Sequence, residues 1–369
     1  MKTVIAATSS EDLYGADKIA SQVISAVSLI DGVSVELLLP NDLNIKGTSR
    51  FVSVKSDNLS IRRASIPIMR RQNLKVSQFP RMLYRCMAFA WELVNKRPDV
   101  VYLATSACIL MAVIARVCRT KSIVLHVQEL WTGNEGRVLA NLARSADHII
   151  CISDAVAESM PPYLQSRITT VTNAVPEYGS ADDGYEQSRT ETVFLMASRW
   201  NAWKGHRTLL EAWCSVEAGN RLIILGGPPE IGAKTDVKAI VADMANKHTV
   251  DIIGEVEDPY EYFKRAHYTI VPSDKPEPFG LVAIESLSMG RPVIASNGGG
   301  LANIVKNEDN GWLFDMGNAD QLSKVINGLN SAEYKTHSDA ARRAYEENFS
   351  MRRFDHEITL LFSNILRTI

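Results

Sequence analysis

Two carboxylates eight positions apart open the chemistry of this chain: Glu277-Pro-Phe-Gly-Leu-Val-Ala-Ile-Glu285, followed by Gly290-Arg-Pro-Val-Ile-Ala-Ser-Asn-Gly-Gly-Gly300. Pro278 and Gly280 interrupt any preceding element, so residues 281–289 read as a helix that Gly290 ends, and residues 293–296 as a buried strand. The helix start leaves backbone amides of Phe279, Gly280, Leu281 and Val282 unpaired, a site for a phosphate or a sugar oxygen. Glu277 falls in the loop beside that anion site. Glu285, a turn into the helix, reaches a diol such as a ribose. Together these residues predict a site for a sugar nucleotide.

Upstream lie three further segments of the same character. Arg199-Trp-Asn-Ala-Trp-Lys204-Gly-His follows a strand and precedes a helix over 207–216, which puts two cations just beyond the carboxyl end of a strand. Arg199 and Lys204 together can neutralise a diphosphate and stabilise it as it leaves. Standing alone, they would read as a solvated surface pair. Gly226-Gly227-Pro-Pro ends another strand, where glycine permits close backbone approach to a ligand; Ile253-Gly-Glu-Val256-Glu-Asp-Pro ends a third. Each of these alone is a turn.

β-Branched runs alternate with amphipathic stretches along the whole chain. Strands are predicted at 3–6, 35–38, 100–103, 122–125 and 148–152, and again at 192–197, 222–225, 250–253, 268–271 and 293–296. Helices are predicted between them, among others at 16–29, 81–96 and 107–119. Strand–helix–strand repetition implies parallel sheets covered on both faces. A chain of 369 residues is long enough for two cores, so two Rossmann-like domains are expected. The seam falls near Asn173-Ala-Val-Pro, after which residues 177–191 are polar and aperiodic. The expected division is 1–175, 176–348 and a C-terminal helix 349–369 that packs back on the N-terminal domain.

In their order at successive strand ends, Arg199 and Lys204-Gly, Gly226-Gly227, Gly254-Glu-Val256, the Glu277 to Glu285 segment and Gly298-Gly-Gly resemble the retaining glycosyltransferases of family 4. The resemblance covers residues 192–315. It implies the GT-B fold: two Rossmann-like, doubly wound parallel-sheet α/β domains facing each other across a cleft. It also implies roles. Arg199 and Lys204 hold the donor diphosphate, Glu285 takes the ribose hydroxyls, and Glu277 contacts the donor sugar. The backbone of Phe279, Gly280 and Leu281 lines sugar and phosphate, and Val256 lies beside the base. In such enzymes transfer is metal-independent and the anomeric configuration is retained. Independently, the sequence has no Asp-x-Asp triplet and no H-x-x-x-H pair, so neither metal nor other cofactor is expected.

The first half matches the family less fully. Tyr14-Gly15-Ala16-Asp17 resembles the glycine-containing loop that approaches donor phosphate or acceptor. Without a G-x-G-x-x-G it argues against a nicotinamide dehydrogenase. His126, at the end of a predicted strand, stands where the family often carries a histidine facing the donor sugar; Gln128-Glu129 follows where many relatives have a His-Glu or His-Asp pair. Asn173-Ala-Val replaces the usual Asn-Gly-Val. Trp200 and Trp203, between the two cations, either wall the pocket or pack over Arg199.

The expected reaction moves a hexose or deoxyhexose from a GDP- or UDP-linked donor to a glycan or lipid-linked saccharide, in surface polysaccharide biosynthesis. Two other readings stay open: another GT-B enzyme, such as a nucleotide-sugar epimerase or a phosphorylase, or a non-catalytic sugar-nucleotide-binding subunit. The five cysteines lack C-x-x-C spacing and read as buried thiols of a reducing compartment, and no apolar run suits a membrane span or a secretory signal, so a cytoplasmic location is expected. Residues 61–97 hold nine basic residues (Arg62, Arg63, Arg70, Arg71, Lys75, Arg81, Arg85, Lys96, Arg97) against one acid, Glu92, in a chain of net charge −2. Aromatic and apolar residues are interleaved with them. This segment predicts peripheral contact with an anionic inner membrane face, or with a diphosphate-linked acceptor. Nucleic acid is disfavoured by the overall acidity and the absence of a known motif.

Overall fold

The computed structural model describes residues 1–10, 15–41, 56–70, 76–179, 191–229 and 232–369. Tyr14, Arg71, Lys75 and most of the polar segment 177–191 lie outside the described residues. The chain forms two compact units, Met1–Asn173 with Arg352–Ile369, and Ala174–Met351.

The first unit is built on seven strands: β1 (Lys2–Ala7), β2 (Val33–Pro40), β3 (Leu59–Ala64), β4 (Val100–Leu103), β5 (Ser122–Val127), β6 (His148–Cys151) and β7 (Ile168–Thr170). They lie in the order β3-β2-β1-β4-β5-β6-β7, and every described pairing is parallel. Helices α1 (Gly15–Ser28), α2 (Phe79–Lys96), α3 (Ile109–Val117), α4 (Gly133–Ala143) and α5 (Asp154–Glu158) connect them. The central strands β4 and β5 are buried along their whole length, as a sheet covered on both faces requires.

The second unit repeats the plan with β8 (Thr192–Ala197), β9 (Asn220–Leu225), β10 (Val250–Gly254), β11 (Tyr268–Val271), β12 (Val293–Ser296) and β13 (Gly311–Phe314). Their order is β10-β9-β8-β11-β12-β13, again parallel throughout. The helices are α6 (His206–Trp213), α7 (Val237–Asp243), α8 (Tyr260–Arg265), α9 (Leu281–Ser288), α10 (Leu301–Ile304), α11 (Ala319–Asn327) and α12 (Tyr334–Asn348). A last helix, α13 (Met351–Thr368), returns the chain to the first unit. Its buried residues Phe354, Ile358, Phe362 and Ile365 recur at helical spacing, and the Phe362 ring meets Tyr102 of β4 edge-on at 5.7 Å.

The predicted strands are all present. Three more, β3, β7 and β13, were not predicted. β3 and β7 are sheet edges whose residues are mostly half-buried or exposed, and β13 closes the second sheet with a half-buried middle. The cysteines depart from the expectation in part: Cys108 and Cys151 are buried, but Cys214 is exposed and Cys86 and Cys118 are half-buried. Burial pushes the Cys108 and Cys151 thiols up to about 12.

In both sheets the chain direction of winding reverses between two central strands, β1 and β4 in the first and β8 and β11 in the second. Neighbouring loops diverge at such a point, leaving a crevice beyond the carboxyl ends of the strands. The residues that follow these four strands are therefore the ones positioned to meet a ligand.

Candidate functional site

In the second unit the crevice is formed by the loops after β8 and β11. The loop after β8 runs through Arg199 to Lys204 and enters α6 at Gly205. Gly205 has φ +75°, and a Cβ there would come within 1.6 Å of the Pro272 carbonyl oxygen. The two loops thus touch through a position that only glycine fills. They are tied again where the Asp274 amide donates to the Trp203 carbonyl at 2.8 Å and the Thr208 hydroxyl donates to Asp274 Oδ1 at 2.7 Å.

This seam delivers the central contact. Lys204 Nζ lies 2.7 Å from Glu277 Oε1. Glu277 is buried, and its Oε1 also accepts from the Ser273 hydroxyl. Its backbone is fixed from the other side, because the Gly300 amide donates to the Glu277 carbonyl at 2.7 Å. The Gly298-Gly-Gly300 turn after β12 therefore serves as the support of the Glu277 loop. Lys204 also stands over the Trp203 ring, 4.3 Å from its centroid.

The two tryptophans thus have separate roles. Trp200 is buried in the second unit's core, while Trp203 lies beneath Lys204. Arg199 itself is exposed at the end of β8.

Immediately after Glu277, α9 begins at Leu281, with Gly280 as its N-cap. The first amides that bond within the helix are those of Ala283 and Ile284, both to the Gly280 carbonyl. The Leu281 and Val282 amides precede them at the positive end of the helix dipole. Glu285, half-buried one turn on, is near enough to Tyr260 for its charge to add to the burial that raises the tyrosine hydroxyl's pKa. Val256, Tyr260 and Val282 pack against one apolar cluster containing Leu225 and Phe263. An apolar wall, a carboxylate and a helix start therefore adjoin, which is the equipment a base, a ribose and a phosphate need. Tyr260 and Ser273 were absent from the sequence reading. Tyr260 could have been found as the first residue of a helix after Gly254, while Ser273 carries no pattern.

Gly226 and Gly227 differ from one another. Gly226 has φ +97°, and a Cβ there would lie 2.1 Å from the Ser198 carbonyl oxygen, so the neighbouring strand end already demands glycine. The expected ligand approach is not needed to explain it. At Gly227 the nearest atoms a Cβ would meet belong to the flexible Glu255 side chain, at 3.1 Å, and its carbonyl accepts from the Trp200 amide at 2.8 Å. The Gly290-Arg-Pro stretch is structural: Arg291 is buried, and donates to the Phe263 and Lys264 carbonyls at the end of α8 and to the Tyr334 hydroxyl.

In the first unit, the crevice loops bring together hydroxyls and carboxylates. Asp17 is buried and accepts from Thr8 Oγ1 at 3.0 Å and Ser10 Oγ at 2.7 Å, while Thr105 Oγ1 donates to Ser9 Oγ at 3.2 Å. Gly15 and Ala16 start α1, and the Ala16 carbonyl accepts from Gln128 Nε2 at 3.2 Å. Gln128 therefore braces this loop. Burial raises the Glu129 carboxyl, against the opposing hydrogen bonds from Ser106. Asp17 is a site candidate to which the sequence motif gave no role, whereas Glu129 stands where the family resemblance already expects an acid.

His126 occupies the interior of β5. No part of it is exposed, its Nδ1 is 2.8 Å from the Tyr102 hydroxyl, and its Nε2 has no hydrogen-bond partner. Burial lowers its pKa to about 3, so it is neutral at physiological pH. The residues of the second unit assigned to the donor gather around one crevice; His126, Gly15 and Ala16 belong to the first unit. Among the described residues no group of three His, Cys, Asp or Glu side chains is placed to hold a metal ion.

Two solved structures share this architecture over nearly their whole length. The lipopolysaccharide outer core galactosyltransferase WaaB, in its apo form, superimposes with a TM-score of 0.76 at 18% identity, covering 98% of this chain and 100% of that one. HepE of Anabaena, in complex with UDP and glucose, gives a TM-score of 0.73 at 18% identity, covering 98% and 99%. The fold is GT-B. Residues 182–347 match the family model of Glycosyl transferases group 1, so the second unit carries a domain of that group. Among curated proteins, the uncharacterized glycosyltransferase MJ1178 of Methanocaldococcus jannaschii is 23% identical over 212 residues, 56% of either chain. The chain spans about half the length of the curated relatives it matches.

Proposed function

We propose that this protein is a retaining, metal-independent glycosyltransferase that moves a hexose or deoxyhexose from a nucleoside-diphosphate sugar to a glycan or lipid-linked saccharide. The observation that carries the reading is the Lys204–Glu277 pair, 2.7 Å apart at the switch point of the second sheet and immediately before the start of α9. The group 1 domain supports the reaction class. The lipopolysaccharide galactosyltransferase among the structural neighbours supports a surface polysaccharide as product, and UDP bound to HepE makes UDP the first nucleotide to try.

The chemistry follows from the charges. Lys204 and Arg199 face the donor diphosphate, and the Leu281 and Val282 amides receive a phosphate or sugar oxygen, so negative charge that builds on the leaving group is met by groups already in place. Glu277, held by Lys204 and Ser273, positions the sugar hydroxyls. Glu285 takes the ribose, with Val256 beside the base. The acceptor hydroxyl attacks the anomeric carbon from the face the diphosphate leaves. The new C–O bond forms as the C–O bond to phosphate breaks, and the acceptor proton passes to the departing phosphate oxygen. Positioning and leaving-group stabilisation supply most of the lowered barrier. On the first unit, the Asp17 and Glu129 cluster, with Gly15 and Ala16, receives the acceptor, and His126 acts by shaping the sheet end behind it.

A thermal-shift panel of UDP, GDP, dTDP and their sugars tests the reading. One nucleotide sugar is expected to raise the melting temperature of the wild type and to do so less in Glu285→Gln. A panel without any shift would sink the donor site. Transfer abolished by EDTA and restored by Mg²⁺ or Mn²⁺ would overturn metal independence.

A further inference from the structure

Helix α2 of the first unit carries an apolar face that the fold leaves uncovered. Phe79, Leu83, Met87, Trp91 and Val94 recur at spacings of four and three, with Tyr84 beside them, and all six are exposed, Phe79 at 67% and Trp91 at 69%. They are six of the fourteen exposed large hydrophobic residues among the described residues. The opposite side of the helix, Arg85, Phe89 and Leu93, is the buried one. The helix is thus amphipathic in an unusual sense: it packs inward with one apolar stripe and presents a second to solvent.

The charges around the stripe decide what would cover it. Glu92 is the sole acid of α2, and it is already taken by Arg62 at 2.9 Å and Lys96 at 3.4 Å; Glu36 of β2 is paired with the same two cations. These four charges balance. Arg81 near the start of the helix and Arg97 at its C-cap are exposed. So are Val117 and Arg119, which flank the residue whose thiol, Cys118 Sγ, reaches the Ala90 carbonyl of α2. The uncovered stripe is therefore rimmed by positive charge with its acids neutralised. The surface charge is smaller than the sequence count implied, because Arg62 and Lys96 are paired, Arg85 is buried, and Arg70 donates to the Ser9 carbonyl.

We propose that this face of α2 docks on an anionic lipid surface. Aliphatic side chains and the Trp91 and Tyr84 rings enter the headgroup boundary, and Arg81, Arg97 and Arg119 meet lipid phosphates. The proposal concerns the first unit and does not rest on the donor reading.

Sedimentation of the full chain with vesicles tests it. Wild type binds vesicles of phosphatidylglycerol mixed equally with phosphatidylcholine, and binds phosphatidylcholine alone far less. Arg81→Glu weakens binding about fivefold or more. Leu83→Ser with Trp91→Ser weakens it about a hundredfold, since two side chains lose their burial in the bilayer. Both variants alter exposed residues, so unchanged circular dichroism and melting temperature establish that they fold. Equal binding by wild type and both folded variants overturns the proposal, as does absence of wild-type binding. Self-association that the apolar variant abolishes, without vesicle binding, overturns it in favour of a second copy of this chain.

Discussion

Replacing Lys204 with Met separates the two things its ammonium group does. The methionine keeps an apolar stem over the Trp203 ring and deletes the charge that lies 2.7 Å from Glu277 Oε1. Glu277 would then retain Ser273 as a donor, Lys204 being its only ion-pair partner among the described residues. Removing one partner of a fully buried pair costs about 3–5 kcal/mol; here the Lys204 side chain is 21% exposed and Glu277 8%, so water reaches the site and about 2–3 kcal/mol is expected. Adding Glu277→Gln removes the stranded charge while keeping an oxygen for Ser273, and should restore most of that stability. Ligand affinity should not follow. A charge-assisted bond to a diphosphate contributes about 1.5–3 kcal/mol, so the dissociation constant of the preferred nucleoside diphosphate should rise roughly 10–100-fold in Lys204→Met and stay raised in the double variant. Urea denaturation reads the stability and isothermal titration calorimetry the affinity. A folded double variant that binds the diphosphate as tightly as wild type would refute the reasoning and leave the pair a purely structural one.

Three further outcomes follow from the same geometry. Gly205→Ala places a Cβ 1.6 Å from the Pro272 oxygen at a φ of +75° and should destabilise the second unit by about 3 kcal/mol or more, visible as a lower urea midpoint; an unchanged midpoint would contradict the contact. Glu285→Gln should weaken a ribonucleoside diphosphate about tenfold yet leave its 2′,3′-dideoxy analogue unaffected, because the lost hydrogen bonds are those to the ribose; equal weakening of both would remove Glu285 from the ribose site. Burial, and for His206 also the nearby Lys204 charge, hold the His126 and His206 pKa values at about 3, below the unfolded 6.5. The unfolded chain therefore binds more protons between those limits, and stability is lost as pH falls below 6.5, by roughly 2 kcal/mol per histidine at pH 5. Chemical denaturation of His206→Leu at pH 7.5 and pH 5 should show that much less pH dependence than wild type, and an identical dependence would count against the assignment.

What the sequence made legible was what repeats. Strands buried on both faces have to be apolar along their length, so β1, β4, β5, β8, β11 and β12 announce themselves, and the residues just beyond them are located by counting. Edge strands obey a weaker rule: β3, with two arginines and half-exposed residues, could be paired without being apolar, and it was read as part of a basic segment. The same segment shows how charge misleads when contacts are unseen, since Arg62 and Lys96 are paired with Glu36, which is remote in sequence. The candidate site has this division too. Lys204 and Glu277 are separately visible as strand-end residues, yet their union depends on Gly205 passing under Pro272 and on Gly300 holding the Glu277 carbonyl, contacts between loops that no local spacing encodes. Gly226 carries the converse lesson. A glycine at a strand end suggests a ligand, but the Ser198 carbonyl already occupies the space a side chain would need, so composition alone cannot distinguish a backbone that approaches a substrate from one that approaches its neighbour. The distinction between Trp200 and Trp203 is of that kind as well: three residues apart in one loop, one fills the core and the other lies under the cation, and only the path of the loop between β8 and α6 assigns them.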